Sequence, residues 1–163
     1  VILIGEVRAA ETMQQALTFA ETGHLCLCTL HANNANQALD RIQSFFPASL
    51  HNQVWMDLSR NLRSMVAQQL LPRKDGKGRT PWCEILISTP IVVKLIAEGR
   101  MADLQQAMRN REAGMRIFDQ DLADLVRAGK VEEALALQVC YDEAALRRAL
   151  RGVKSTGEGV GLI

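Results

Sequence analysis

The chain has 163 residues, 48% of them apolar, with 19 Lys and Arg against 18 Asp and Glu, a formal net charge of +1. That length suits one domain, or one domain with a small helical addition, hiding about 70% of the surface its unfolded form exposes. The charge balance argues against a broad nucleic-acid or acidic-membrane surface, no apolar run reaches the ~20 residues that span a bilayer, and the opening residues lack a signal-peptide layout.

The four cysteines, Cys26, Cys28, Cys83 and Cys140, form no C-x-x-C pair and point to a reducing compartment. Val1, Ile2, Leu3 and Ile4 show no polar alternation, the pattern of a strand covered on both faces in a parallel sheet. Ala10, Met13, Leu17 and Ala20 follow at helical spacing, and Gly23 is expected to stop that helix. "LCLCTL", residues 25–30, reads as a second covered strand. Ala35, Leu39, Ile42 and Phe46 share a face of the next helix, with Asn33 or Asn34 as its cap and Pro47 as its end. Ser49 is expected to cap a helix whose apolar side holds Val54, Leu58 and Leu62, with Trp55 beside them.

"SMVAQQLLPRK" and "TPWCEILIS" read as two more strands. Residues 75–79 join them as a hairpin turn, because Gly76 and Gly78 permit positive φ. The order is therefore a parallel β-α-β unit followed by an antiparallel pair. Thr89 and Pro90 supply a capping hydroxyl and a first-turn proline for a helix. Helices are also predicted over "DLQQAMRNREAG", over "FDQDLADLVRAG" with Phe118, Leu122, Leu125 and Val126 on one face and Gly129 as its stop, and over "VEEALALQ" and "DEAALRRALRG". The Gly-rich tail "KSTGEGVGLI" is expected to be disordered.

In open α/β sheets, ligands lie beyond the carboxyl ends of parallel strands. The first strand delivers Glu6 and Arg8 to that rim; the second delivers Thr29, His31 and Asn33. A buried aliphatic strand ending in an acid is how nucleotide-hydrolysing folds handle Mg²⁺ and the attacking water. The plainer reading makes Glu6 a solvated acid paired with Arg8, and makes His31 a partner of nearby backbone groups. His24, Cys26 and Cys28 project to one side of an extended strand and could be drawn as zinc ligands. A covered central strand favours ordinary buried thiols instead. No all-protein metal cage is expected. A phosphate cradle of the form G-x-x-x-x-G-K-[ST] does not occur in the sequence; "DGKGRT" continues with Gly78 where Ser or Thr is needed.

"VILIGEVRAAETMQQALTFAETGHLCLCTLHANNANQALDRI" resembles the Walker B and His-box region of the type IV pilus retraction ATPases, the PilT/PilU group, and is nearer its PilU branch. "FFP", "LLPRKDGKGR", "GMRIFDQDLADL" and "AGKVEEALAL" extend the resemblance nearly to residue 140. It implies an α/β fold: the C-terminal part of a RecA-like P-loop NTPase motor domain, followed by a helical extension. It assigns residues 1–89 to the ATPase core, 90–152 to the extension and 153–163 to a flexible tail. Glu6 resembles the Walker B acid and His31 the His-box histidine. Gly5, Arg8 and Thr29 fall beside them as nucleotide- or Mg²⁺-proximal supporting residues, with Mg²⁺ held through water near Glu6. Glu21, Gly23 and His24 match the family's "ETGH" segment, for which a structural role is expected.

The resemblance further implies ATP and Mg²⁺ as ligands, and a hexameric ring at the cytoplasmic base of the pilus, peripheral to the inner membrane. A related retraction ATPase ring and the inner-membrane pilus platform are the implied partners, with no nucleic acid. Three departures stand out. The family usually has Asp where Ala9 stands, "TPIVVKLIAEG" does not match its basic helical box, and the family's upstream half, with its phosphate loop, is expected to be missing. The chain is expected to be a fragment starting at the Walker B strand, without ATPase activity alone. The rival expectation is a non-catalytic module of motor fold that assembles with a partner ATPase ring; the third is a zinc-binding structural domain.

Overall fold

A computed structural model describes residues 1–152. They separate into two compact units, Val1–Gln68 with Glu84–Arg116, and Gln69–Cys83 with the residues from Ile117 onward. The predicted disordered tail lies outside the described residues.

In the first unit, β1 (Ile2–Ile4) pairs in parallel with β2 (Cys26–Cys28). Leu3 stands opposite Leu27. The Ile2 N–H donates to Leu25 O at 2.8 Å and the Val7 N–H to Thr29 O at 3.0 Å, so the pairing runs beyond both ends of β1. The crossover is α1 (Ala10–Glu21), which buries Met13, Ala16 and Leu17. It closes through Thr22 to Gly23 at φ 88°, a conformation glycine reaches without a side-chain clash.

The expectation that both strands are covered on two faces is corrected. Leu3 is 76% exposed and Leu27 50%, while Ile2, Ile4 and Cys26 are half-buried. Side chains alternate along a strand, and here one set has no covering layer.

Helix α2 (Ala35–Ser44) buries Ala35, Leu39 and Ile42, and Phe46 beyond it is also buried, as the periodicity predicts. A 3-10 turn (Ala48–Leu50) leads into α3 (His51–Asn61), where Val54, Trp55 and Leu58 face inward. Ser49 is not the cap: it lies within that turn, and Leu50 precedes α3 with no side-chain cap. Helix α4 (Pro90–Ala97) packs on α3 through its buried Val92, Leu95 and Ile96. Pro90 takes the first turn as expected, but the Thr89 hydroxyl does not cap it.

The helix predicted over residues 103–114 is shorter. A 3-10 turn (Met101–Asp103) precedes α5 (Leu104–Arg109), and Arg111 and Ala113 then turn left-handed at φ 58° and 53°. The cause lies next along the chain. Arg116 exchanges backbone hydrogen bonds with Ile85 at 2.9 and 3.0 Å, so the chain leaves the helix to reach a strand.

Strands β3 (Ser64–Pro72) and β4 (Arg79–Ile87) form the expected hairpin. Its turn, within the second unit, has Gly76 and Gly78 at φ 70° and 93° and an Asp75–Arg73 ion pair at 2.5 Å. In that unit Trp82 packs edge-on against Phe118, ring centres 4.8 Å apart, and its indole N–H donates to Phe118 O at 2.7 Å. Phe118 opens α6 (Phe118–Arg127), which packs against α7 (Glu133–Val139) and α8 (Glu143–Leu150). Phe118 and Leu122 are buried on α6 as predicted, whereas Leu125 and Val126 are half-buried. The buried Asp119 carboxylate accepts the Tyr141 and Asp142 N–H groups, both at 2.9 Å, which satisfies the backbone just before α8.

Candidate functional site

Glu6 stands two residues past β1 because the strand's hold continues to Val7. The Val7 side chain is buried, at 2% exposure, and its N–H is bonded across to Thr29. Thr29 adds a second tie, its hydroxyl donating to Gly5 O at 2.5 Å. With Val7 turned into the core, alternation puts Glu6 and Arg8 on the same side of the chain. Their ion pair is 2.5 Å, through Glu6 Oε2. From the end of β2, His31 Nε2 reaches Glu6 Oε1 at 3.1 Å. The two strand ends thus bring together Glu6, Arg8, Thr29 and His31, with the Gly5 carbonyl.

Glu6 is the shielded member, its side chain 22% exposed against 76% for Arg8 and 82% for His31. The hydrogen bond from Arg8 holds the Glu6 carboxyl below its ordinary value of 4.5; partial desolvation works the other way, and the Arg8, His31 and Arg41 charges add to the lowering. The same pairing raises Arg8. Both carboxylate oxygens are therefore engaged, one by a guanidinium and one by an imidazole.

The segment carrying His31 ends in a well-capped helix start. The Asn34 side chain accepts the Gln37 N–H at 2.9 Å, and the Gln37 side chain accepts the Asn33 N–H at 3.1 Å. The first N–H of α2, from Ala35, goes to Glu84 Oε1 at 2.9 Å. Sequence reasoning missed Glu84. The signal was available: on β4 the residues Thr80, Trp82, Glu84 and Leu86 alternate inward, so a carboxylate occupies the core-facing register.

A cavity of about 210 Å³ lies beside this rim, lined by Thr29, Leu30, Ala32, Asn34 and Ala35 among others. A larger one, about 520 Å³, sits toward the opposite end of β2 and includes none of Glu6, Arg8 or His31. His24 lines the larger cavity; its Nδ1 lies 3.2 Å from the Thr22 hydroxyl and its ring packs edge-on against Phe19. All four cysteines are free thiols. Among the described residues no cluster of His, Cys, Asp and Glu is arranged to hold a metal, and no helix is long and apolar enough to cross a membrane.

The family model for Type II/IV secretion system protein matches residues 1–152. The type IV pilus ATPase PilU of Pseudomonas aeruginosa is 58% identical over 139 residues, covering 83% of this chain and 36% of that protein. The retraction ATPase PilT of the same organism is 40% identical over 132 residues, 80% of this chain and 38% of the relative. A crystal structure of the pilus retraction motor PilT with bound ADP superimposes with a TM-score of 0.80 at 34% identity, over 90% of this chain and 41% of that one. The chain thus spans less than half the length of the relatives it matches. Its α/β fold is that of the PilT motor, and the chain belongs to the Type II/IV secretion system protein family, within the PilT/PilU group.

Proposed function

We propose that this segment supplies the water-handling rim of a motor ATPase that couples ATP hydrolysis to type IV pilus retraction and twitching motility. The carrying observation is the contact between Glu6 and His31 at the ends of two paired parallel strands, in a chain 58% identical to PilU. In this reading residues 1–89 belong to the motor core and 90–152 to a helical extension. Six copies form a ring at the cytoplasmic base of the pilus, next to the inner-membrane platform and a related retraction ring, with ATP as substrate.

Glu6 is the catalytic residue. Kept anionic by Arg8, it takes a proton from the attacking water or holds water in the Mg²⁺ shell. Mg²⁺ would be held mainly by phosphates and waters, with Glu6 accepting from one of those waters when Arg8 leaves its oxygen. When bound, Mg²⁺ neutralises phosphate charge. Arg8 is largely solvent-exposed, so it can swing away from Glu6 without unpacking the core. Thr29 holds the Gly5 carbonyl and keeps the two strand ends in register. His31, on the other carboxylate oxygen, links the state of the γ-phosphate to the start of α2. The 163-residue chain alone is inactive in this reading, because a phosphate cradle of the required form is absent from it.

The rival non-catalytic reading rests on Ala9 and on the phosphate loop missing from the sequence. That residue occupies the N-cap position of α1, so its identity bears on a helix start. The deciding experiment uses a full-length PilU-type polypeptide carrying this segment. Glu6→Gln is expected to keep MgATP affinity and lower turnover by about 10²–10⁴. Hydrolysis at the unsubstituted rate would return Glu6 to a solvated acid paired with Arg8.

A further inference from the structure

Glu84 is 4% exposed, a carboxylate on the core face of β4. Its Oε1 accepts the N–H of Ala35, itself 3% exposed, at 2.9 Å. Ala35 is the first residue of α2, so the carboxylate lies at the positive end of that helix and takes a donor that no helical carbonyl can reach. The Asn34 side chain is already committed to Gln37. Asn34 and Glu84 thus divide the start of the helix between them, Asn34 taking Gln37 and Glu84 taking Ala35.

What the bond fixes is the span before the helix. At one end Thr29 is tied to Gly5 and Val7 of the neighbouring strand. At the other, Ala35 is tied to Glu84. Residues 30–34 lie between, and His31 is among them. A span this short, held at both ends, leaves His31 little freedom to move away from Glu6. Freed at the Ala35 end, it has one anchor only.

We propose that Glu84 is a positioning residue for the catalytic rim: its buried carboxylate takes the first N–H of α2 and thereby holds His31 against Glu6. The proposal rests on the ATPase reading above for its kinetic consequence, but not for its structural one.

The test uses Glu84→Gln and Glu84→Met in the full-length PilU-type polypeptide. Glutamine keeps an oxygen acceptor in place; methionine keeps much of the volume and removes the acceptor. Expected for Glu84→Met is a turnover loss of about tenfold or more with MgATP affinity retained, as for a misplaced catalytic group. Glu84→Gln should restore most of the rate. In a His31→Ala background, Glu84→Met should cost little further, because its effect passes through His31. An equal loss with and without His31, or a loss in Glu84→Gln as large as in Glu84→Met, overturns the proposal.

Two readouts need no turnover. Amide exchange at Ala35 should accelerate in Glu84→Met but not in Glu84→Gln, and the His31 ring resonances should shift in the same pattern. Unchanged exchange and resonances in Glu84→Met overturn the proposal even in an inactive protein. An unsubstituted protein that hydrolyses no ATP instead sinks the functional reading alone.

Discussion

At the scale of single residues, the rim is an electrostatic device whose tuning lies in Arg8. A carboxylate held below 4.5 keeps its charge as pH falls and loses it on passing through the lowered value. Any activity or stability that depends on the Glu6 anion is therefore present above the ordinary carboxylate range and is lost below it. Arg8→Gln removes the largest cause of the lowering, so the acid limb of kcat/KM should move up toward the ordinary value. A pH–rate profile of both forms checks this, and a limb that stays in place would mean Arg8 is not what keeps Glu6 charged. His31→Ala should also slow hydrolysis, by less than Glu6→Gln, since in the proposed reading His31 acts through its contact with Glu6. Neither substitution should unfold the protein: the His31 side chain is 82% exposed, and glutamine keeps the size of Glu6.

Among elements, α1 starts without a side-chain cap. Ala9 has the extended φ and ψ of an N-cap, −146° and 161°, but no side chain to accept an amide. Ala9→Asp should supply that acceptor and a favourable charge at the helix start, stabilising the protein by about 1 kcal/mol. Urea unfolding measures it; no gain would show that water satisfies those amides equally well. The contrast within the chain is α2, where Asn34 caps through its side chain. Such local features were legible in the sequence. Spacing placed α1 to α3 and α6 to α8, Thr89 and Pro90 placed α4, the glycines placed the hairpin, and the strand-end rule put Glu6 and His31 on one rim once β1 and β2 pair. Features set by distant partners were not. The break after Arg109 depends on Arg116 pairing with Ile85, and the role of Glu84 depends on an amide 49 positions earlier in the chain. Ser49 carries the right chemistry for a cap, but a 3-10 turn shifts the helix start past it.

For the molecule as a whole, the consequential feature is the open face of the β1–β2 pair. Val1, Leu3, Leu25 and Leu27 are each half or more exposed, and Leu3 and Leu27 are register partners. Burying a leucine or valine is worth roughly 1.5–3 kcal/mol, so four such side chains on a two-stranded sheet favour association strongly. Strands with unpaired edges add a template for other chains. The 163-residue chain alone should therefore scatter light as oligomers. Introducing Leu3→Glu together with Leu27→Lys places opposite charges across the register and removes the apolar centre of the face. In the isolated chain that pair should return a dispersed species with unchanged far-ultraviolet circular dichroism. In a full-length PilU-type polypeptide, whose further length is available to cover the face, the same pair should destabilise, because two charges would then be buried in an apolar layer. Light scattering on the short chain and thermal unfolding on the long one give the two signs. A dispersed, cooperatively unfolding monomer from the unsubstituted short chain would show that the open face does not drive association. Tolerance of the charged pair by the long polypeptide would show that this face stays open to solvent there.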